Sequence, residues 1–137
     1  MASYFYKLVM FFAVIAGVSL LDASAQQQPE KPDLNVMAEE EADKLQKLLD
    51  LEDWQVFYVD STLKANYAAL QVEFDNLQKA KETNTAIYQE AQDKFWDRVE
   101  ASYKKYFTDK QWTLYLKNGA AKAQKAREKR RLKAEGK

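Results

Sequence analysis

The side chains best placed for acid–base chemistry are carboxylates. Glu39, Glu40 and Glu41 form a run, and Asp93 and Asp97 stand four residues apart. Two carboxyl groups work as an acid–base pair when their surroundings drive their pKa values apart. At i, i+4 spacing on a surface helix both stay solvated, so these pairs are read as surface charge. The chain has no His and no Cys. Ser–His and Cys–His pairs cannot be built from it, and disulfides and thiolate metal sites are excluded. No Gly-rich phosphate loop occurs, and nothing in the acidic segment has the pattern of a Ca²⁺ loop. The sequence therefore reads as a non-enzyme, with no cofactor and no metal site expected.

A second pattern carries more information. Leu51-Glu-Asp-Trp-Gln55 and Phe107-Thr-Asp-Lys-Gln111 repeat one motif: an apolar residue, a polar residue, Asp, any residue, Gln. Each is followed by an apolar residue, Val56 or Trp112. Thr108 and Gln111 have the spacing of a capping box, in which the cap side chain and the N3 side chain each take the other's backbone N–H. Phe107 with Trp112, and Leu51 with Val56, have the spacing of a hydrophobic staple. In the first copy Glu52 is the weaker cap, and Asp53 is the alternative, one residue later. Both copies read as helix-start devices, with a binding role for Leu51, Asp53, Gln55, Phe107, Thr108, Asp109 and Gln111 as the competing reading.

The elements that must carry these motifs are helices. From Val36 to Asn118 there is no Gly and no Pro, and no run alternates apolar and polar residues between turn signals. The first helix is expected over Val36–Leu49 with Asn35 as its cap, and the second from the first motif to about Ala80. Val56, Leu63, Leu70 and Leu77 recur every seven residues along it, widened by Val59, Tyr67 and Phe74. A break at Thr83-Asn84-Thr85 precedes a third helix, about Ala86–Tyr106, whose stripe is Tyr88, Ala91, Phe95, Val99 and Tyr106. The fourth helix starts at the second motif, and Asn118-Gly119 reads as its left-handed stop. The fold class is all-α, a small antiparallel bundle of about four helices.

The ends differ in character. Lys7, the uncharged stretch Leu8–Leu21 and Ala23-Ser-Ala25 form an export signal cleaved after Ala25. The expected layout is a signal peptide over 1–25, a disordered leader over 26–35, a helical domain over 36–118 and a basic tail over 119–137. Residues 26–60 carry ten acids and three bases, and residues 117–137 carry nine bases and two acids. Export makes nucleic acid an unexpected partner for the tail. Its Lys122, Lys125, Arg127, Lys129, Arg130 and Arg131 are candidates for electrostatic docking on an anionic membrane surface or an acidic partner. All thirteen aromatics after the signal lie between Trp54 and Tyr115. Trp54, Phe57 and Tyr58 point around three sides of one helix end, and Trp96 and Tyr103 lie off the main stripe. These five are the candidate protein-binding surface.

The twin motif resembles the Leu-Thr-x-x-Gln signature of the Spy/CpxP family, with Leu51, Asp53 and Gln55 as one copy and Phe107, Thr108, Asp109 and Gln111 as the other. Glu52 stands where that signature has Thr, and Phe107 where it has Leu. The resemblance covers about residues 36–118. It implies a small periplasmic protein of four or so helices that forms cradle-shaped dimers and acts as an ATP-independent chaperone or a regulator of envelope stress signalling. The His-rich metal-sensing branch does not match a chain without His. The expected partners are unfolded or envelope proteins, a second copy of the chain and an anionic membrane surface. The alternative is a structural or adaptor protein of the cell envelope that docks through its basic C-terminal tail.

Overall fold

The computed structural model describes residues 32–136. The export signal, most of the leader and Lys137 lie outside the described residues. Helix α1 is Leu34–Leu49, α2 is Asp53–Lys79, α3 is Thr85–Tyr106, α4 is Asp109–Tyr115 and α5 is Ala121–Ala134. A π-helical turn, Leu116–Ala120, joins α4 to α5, so the last two helices make one bent rod. Among the described residues every regular element is helical. The all-α reading holds, and the four rods match the expected number.

Local chemistry sets most of the boundaries. The α1 cap is Asp33, whose carboxylate accepts the N–H groups of Asn35 and Val36. This corrects Asn35, and the helix starts two residues earlier than expected. Asp is as good a cap as Asn, and Asp33 alone has its oxygen within reach of the free first-turn donors. Glu39, Glu40 and Glu41 consequently fall beyond the first turn. Asp50 ends α1 at φ 53°, and Leu51 N–H returns to Gln46 O at 3.2 Å. Lys81, also left-handed, turns the chain after α2. Asn84, within the break expected at Thr83-Asn84-Thr85, then caps α3 by accepting Ala86 N–H at 3.0 Å.

Cross-helix partners fix the topology. Lys64 on α2 meets Glu39 on α1, and Arg98 on α3 meets Asn66 on α2. Arg130 on α5 meets Asp93 on α3. In the first two pairs the partners are nearly equidistant from the intervening turn, and in the third both lie well beyond the turn at 107–108, so neighbouring rods run antiparallel. The molecule is two helical hairpins, α1–α2 and α3–α4/α5, packed through α2 with α3 and through α1 with α4. The core consists of Ala38, Ala42, Leu45 and Leu49 from α1 and Val59, Leu63, Tyr67, Leu70 and Phe74 from α2. Ala91, Phe95, Val99 and Tyr103 from α3, Tyr115 from α4, and Leu51, Phe107 and Ala120 from the connecting segments complete it. Tyr67 stacks on Phe95 at 4.9 Å, which locks the two central helices face to face.

Gly119 interrupts the last rod and does not stop it. Its φ of 112° lies in the region L side chains avoid, yet the helix resumes at Ala121. The basic tail is thus an ordered helix. It folds back on α3 through a ladder of charges. Arg127 reaches Asp97 at 2.9 Å and the buried Glu100, Arg130 makes two bonds to Asp93, and Gln124 donates to Glu100 at 2.9 Å.

Candidate functional site

The repeated motif comes together at the end of the molecule where both hairpins turn. Gln55 and Gln111 are both buried and bond reciprocally: Gln55 Nε2 donates to Gln111 Oε1 at 2.8 Å, and Gln111 Nε2 donates to Gln55 Oε1 at 3.0 Å. Each Oε1 also accepts the backbone N–H of its own cap, Glu52 at 3.0 Å and Thr108 at 2.9 Å. Each Nε2 spends its second hydrogen on the other hairpin. Gln55 donates to Tyr106 O at 2.8 Å, and Gln111 donates to Asp50 O at 3.3 Å. Asp50 and Tyr106 are equivalent positions of the repeat, both immediately before its first residue. The arrangement is a clasp with local two-fold symmetry, in which each amide oxygen accepts two hydrogen bonds and each amide nitrogen donates two. An amide group has just this capacity.

The other motif positions divide by depth. Leu51 and Phe107 are buried, and Phe107 stacks on Tyr103 at 5.1 Å and meets Tyr115 edge-on. Thr108 closes its box by accepting Gln111 N–H at 3.3 Å. In the first copy Glu52, not Asp53, is the cap, and its carboxylate accepts the indole N–H of Trp54. Asp53 and Asp109 are exposed in the first turns of their helices, where a negative charge suits the helix dipole. The equivalence continues one turn further, to the buried pair Val59 and Tyr115, and ends where Leu63 is matched by Gly119.

Above the clasp lies an aromatic cluster. Trp54 is 50%, Phe57 65% and Tyr58 42% exposed. Tyr58 stacks on Tyr106 at 4.6 Å with the rings nearly parallel, and Trp54 and Phe57 meet Tyr58 edge-on at 6.1 and 5.6 Å. Tyr106 is thereby held twice from the first hairpin, by Gln55 at its carbonyl and by Tyr58 at its ring. The clasp fixes the relative position of rings drawn from two hairpins. Sequence reasoning places Tyr106 in the core stripe and misses it here. Its identity as the residue preceding the second motif was the available signal.

The remaining candidates are placed differently. Tyr103, expected at a binding surface, is entirely buried and is corrected to core. Position 103 faces the junction of α3 with the clasp end, where Phe107 and Tyr115 cover it. Trp96 is half-buried against Phe95. Burial pushes the hydroxyl of Tyr67 up to about 12 and holds those of Tyr103 and Tyr115 well above the ordinary tyrosine value. Tyr115 donates to Glu100 at 3.1 Å, whereas the Tyr103 hydroxyl has no partner among the described residues. Of the tail residues, Arg127, Arg130 and Arg131 are engaged within the chain, the last with Glu128, while Lys122, Lys125 and Lys129 are exposed.

Among the described residues no group of three or more acidic, His or Cys side chains is arranged to hold a metal ion. Among the same residues no helix is long and apolar enough to cross a membrane. No family model, no curated protein and no solved structure matches the chain.

Proposed function

We propose that this is an exported, periplasmic helical protein of the Spy/CpxP kind that binds unfolded or partner proteins without ATP. The observation that carries the reading is the cluster at the clasp end of three exposed rings, Trp54, Phe57 and Tyr58, the last stacked on the half-buried Tyr106 that the clasp holds in place. Aromatic side chains gathered on one surface supply contact area at little conformational cost, and Trp and Tyr are the types enriched at binding hot spots. Edge-on and stacked rings present both faces and edges, which suits apolar segments of varied sequence. The twin motif serves as scaffold, and the rings serve as the site.

The test is suppression of aggregation of a chemically unfolded client by stoichiometric amounts of protein without nucleotide. The wild-type chain suppresses aggregation, and the triple variant W54S/F57S/Y58S loses the effect while its helical circular dichroism is unchanged. Equal suppression by the two proteins, or none by the wild type, contradicts the reading. Sedimentation of both proteins shows whether the same rings also hold a second copy.

A further inference from the structure

We propose that the outward face of α5 docks on an anionic phospholipid membrane. This inference uses none of the aromatic cluster, so it stands or falls separately from client binding. The basic residues of α5 are sorted by type. Arg127 and Arg130 face α3 and are consumed by Asp97, Glu100 and Asp93, and Arg131 pairs with Glu128 on its own helix. Lys122, Lys125, Lys129 and Lys133 are all exposed, and none is in an ion pair with another described residue. At 3.6 residues per turn these four fall within an arc of about 80° and form a straight row about 16 Å long.

The sorting follows the chemistry of the two cations. The planar guanidinium fork suits fixed, bidentate carboxylates, as at Asp93. The compact ammonium on a flexible stem suits charge spread over a plane. Glu128, the one acid within Ala121–Ala134, is taken by Arg131, and the ladder beneath holds the helix in position. Leu132, 40% exposed, flanks the row, and its apolar surface and the lysine stems can rest at a headgroup boundary while the charges reach phosphate. Among the described residues, the outer face of α1 on a second copy offers no matching row. On the outer face of α1, Glu40 and Asp43 alternate with Lys44 and Lys47. A long row of uncompensated point charges fits the phosphates of a lipid surface, with attraction that fades within a Debye length and is screened by salt.

The experiment is co-sedimentation of the whole chain with two kinds of vesicle, phosphatidylcholine alone and phosphatidylcholine mixed with phosphatidylglycerol. The wild type partitions more strongly onto the anionic vesicles, and added salt removes the difference. Each lysine contributes roughly fivefold to that difference, so K122Q/K125Q/K129Q/K133Q lowers it by about two orders of magnitude or more. The control K47Q/K79Q/K81Q/K110Q changes net charge equally at exposed lysines elsewhere and keeps the preference. Three outcomes overturn the proposal: no preference of the wild type for anionic vesicles, equal losses from the two quadruple variants, or binding of soluble polyglutamate as tight as that of the vesicles.

Discussion

Gln55 and Gln111 concentrate the logic of the molecule in two side chains. A buried amide that satisfies all its hydrogen-bonding groups adds specificity, and removing one partner strands the other. Gln55→Leu leaves Tyr106 O and the Glu52 N–H without their partners and Gln111 half-satisfied. The expected loss is about 2–4 kcal/mol, measured by urea unfolding. Gln111→Leu should cost a similar amount, and the double variant should cost well below the sum, because the second change removes groups the first has already stranded. Two tyrosines give a sharper contrast. Tyr103→Phe removes a buried hydroxyl that has no partner among the described residues, so stability should stay the same or rise by about 1 kcal/mol. Tyr115→Phe breaks a bond to the buried Glu100 carboxylate and should cost about 1.5–3 kcal/mol. The capping role of Gln111 was legible in the sequence, since Thr108 to Gln111 is a local spacing. The bond to Gln55 was not, because it joins positions 56 residues apart and no local signal registers that two turns meet.

At the scale of elements, the informative departure is the last rod. Asn118-Gly119 signals a stop, and the positive φ of Gly119 agrees with that signal. The rod continues because Arg127, Arg130 and Gln124 find Asp97, Glu100 and Asp93 on α3, a tertiary gain that outweighs the local break. From sequence, Asp93 and Asp97 read as solvated charge and the arginines as a free basic tail. Only the antiparallel pairing of α3 and α5 brings the two sets together. Breaking this ladder should be local in its effect. Arg127 and Glu100 are each 8% exposed, and leaving a buried carboxylate unpaired costs about 3–5 kcal/mol. Arg127→Ala should therefore speed amide exchange across residues 121–134 while the core of α2 and α3 remains protected. Uniform exchange along the whole chain would show instead that α5 is integral to the core. Gly119→Ala has no neighbour to clash with, so its cost is conformational alone, about 1–2 kcal/mol.

For the whole molecule, the apolar periodicity of α2 and α3 was enough to place the two central helices, since Val59, Leu63, Tyr67, Leu70 and Phe74 are the buried apolar residues of α2, while Val56 and Leu77 at the ends of the same stripe are half-buried. What periodicity could not do was separate core rings from exposed ones near the turns. There Tyr103 is fully buried and Tyr106 only half-buried, stacked under Tyr58, within a single turn of α3. Burial of Tyr67, Tyr103 and Tyr115 also sets the alkaline limit of the fold. Their hydroxyls ionise only at values above the unfolded tyrosine value of 10.0. Above that pH the unfolded chain binds fewer protons than the folded one, so stability is intact below about 10 and falls as pH rises toward 12 and beyond. Three such groups give a slope of up to about 4 kcal/mol per pH unit. Tyrosinate absorbance from these residues should appear together with loss of helical circular dichroism, and not before it.

In the proposed division of labour the repeated motif is scaffold and the rings above it are the binding site. The dissociation constant of one unfolded client separates the two roles when it is measured for two variants at a temperature where both are folded. F57S/Y58S removes exposed rings, and D53A/D109A removes the exposed acidic positions of the motif. Binding should weaken at least tenfold in the first and stay unchanged in the second. Binding lost with the motif acids and retained without the rings would contradict that division.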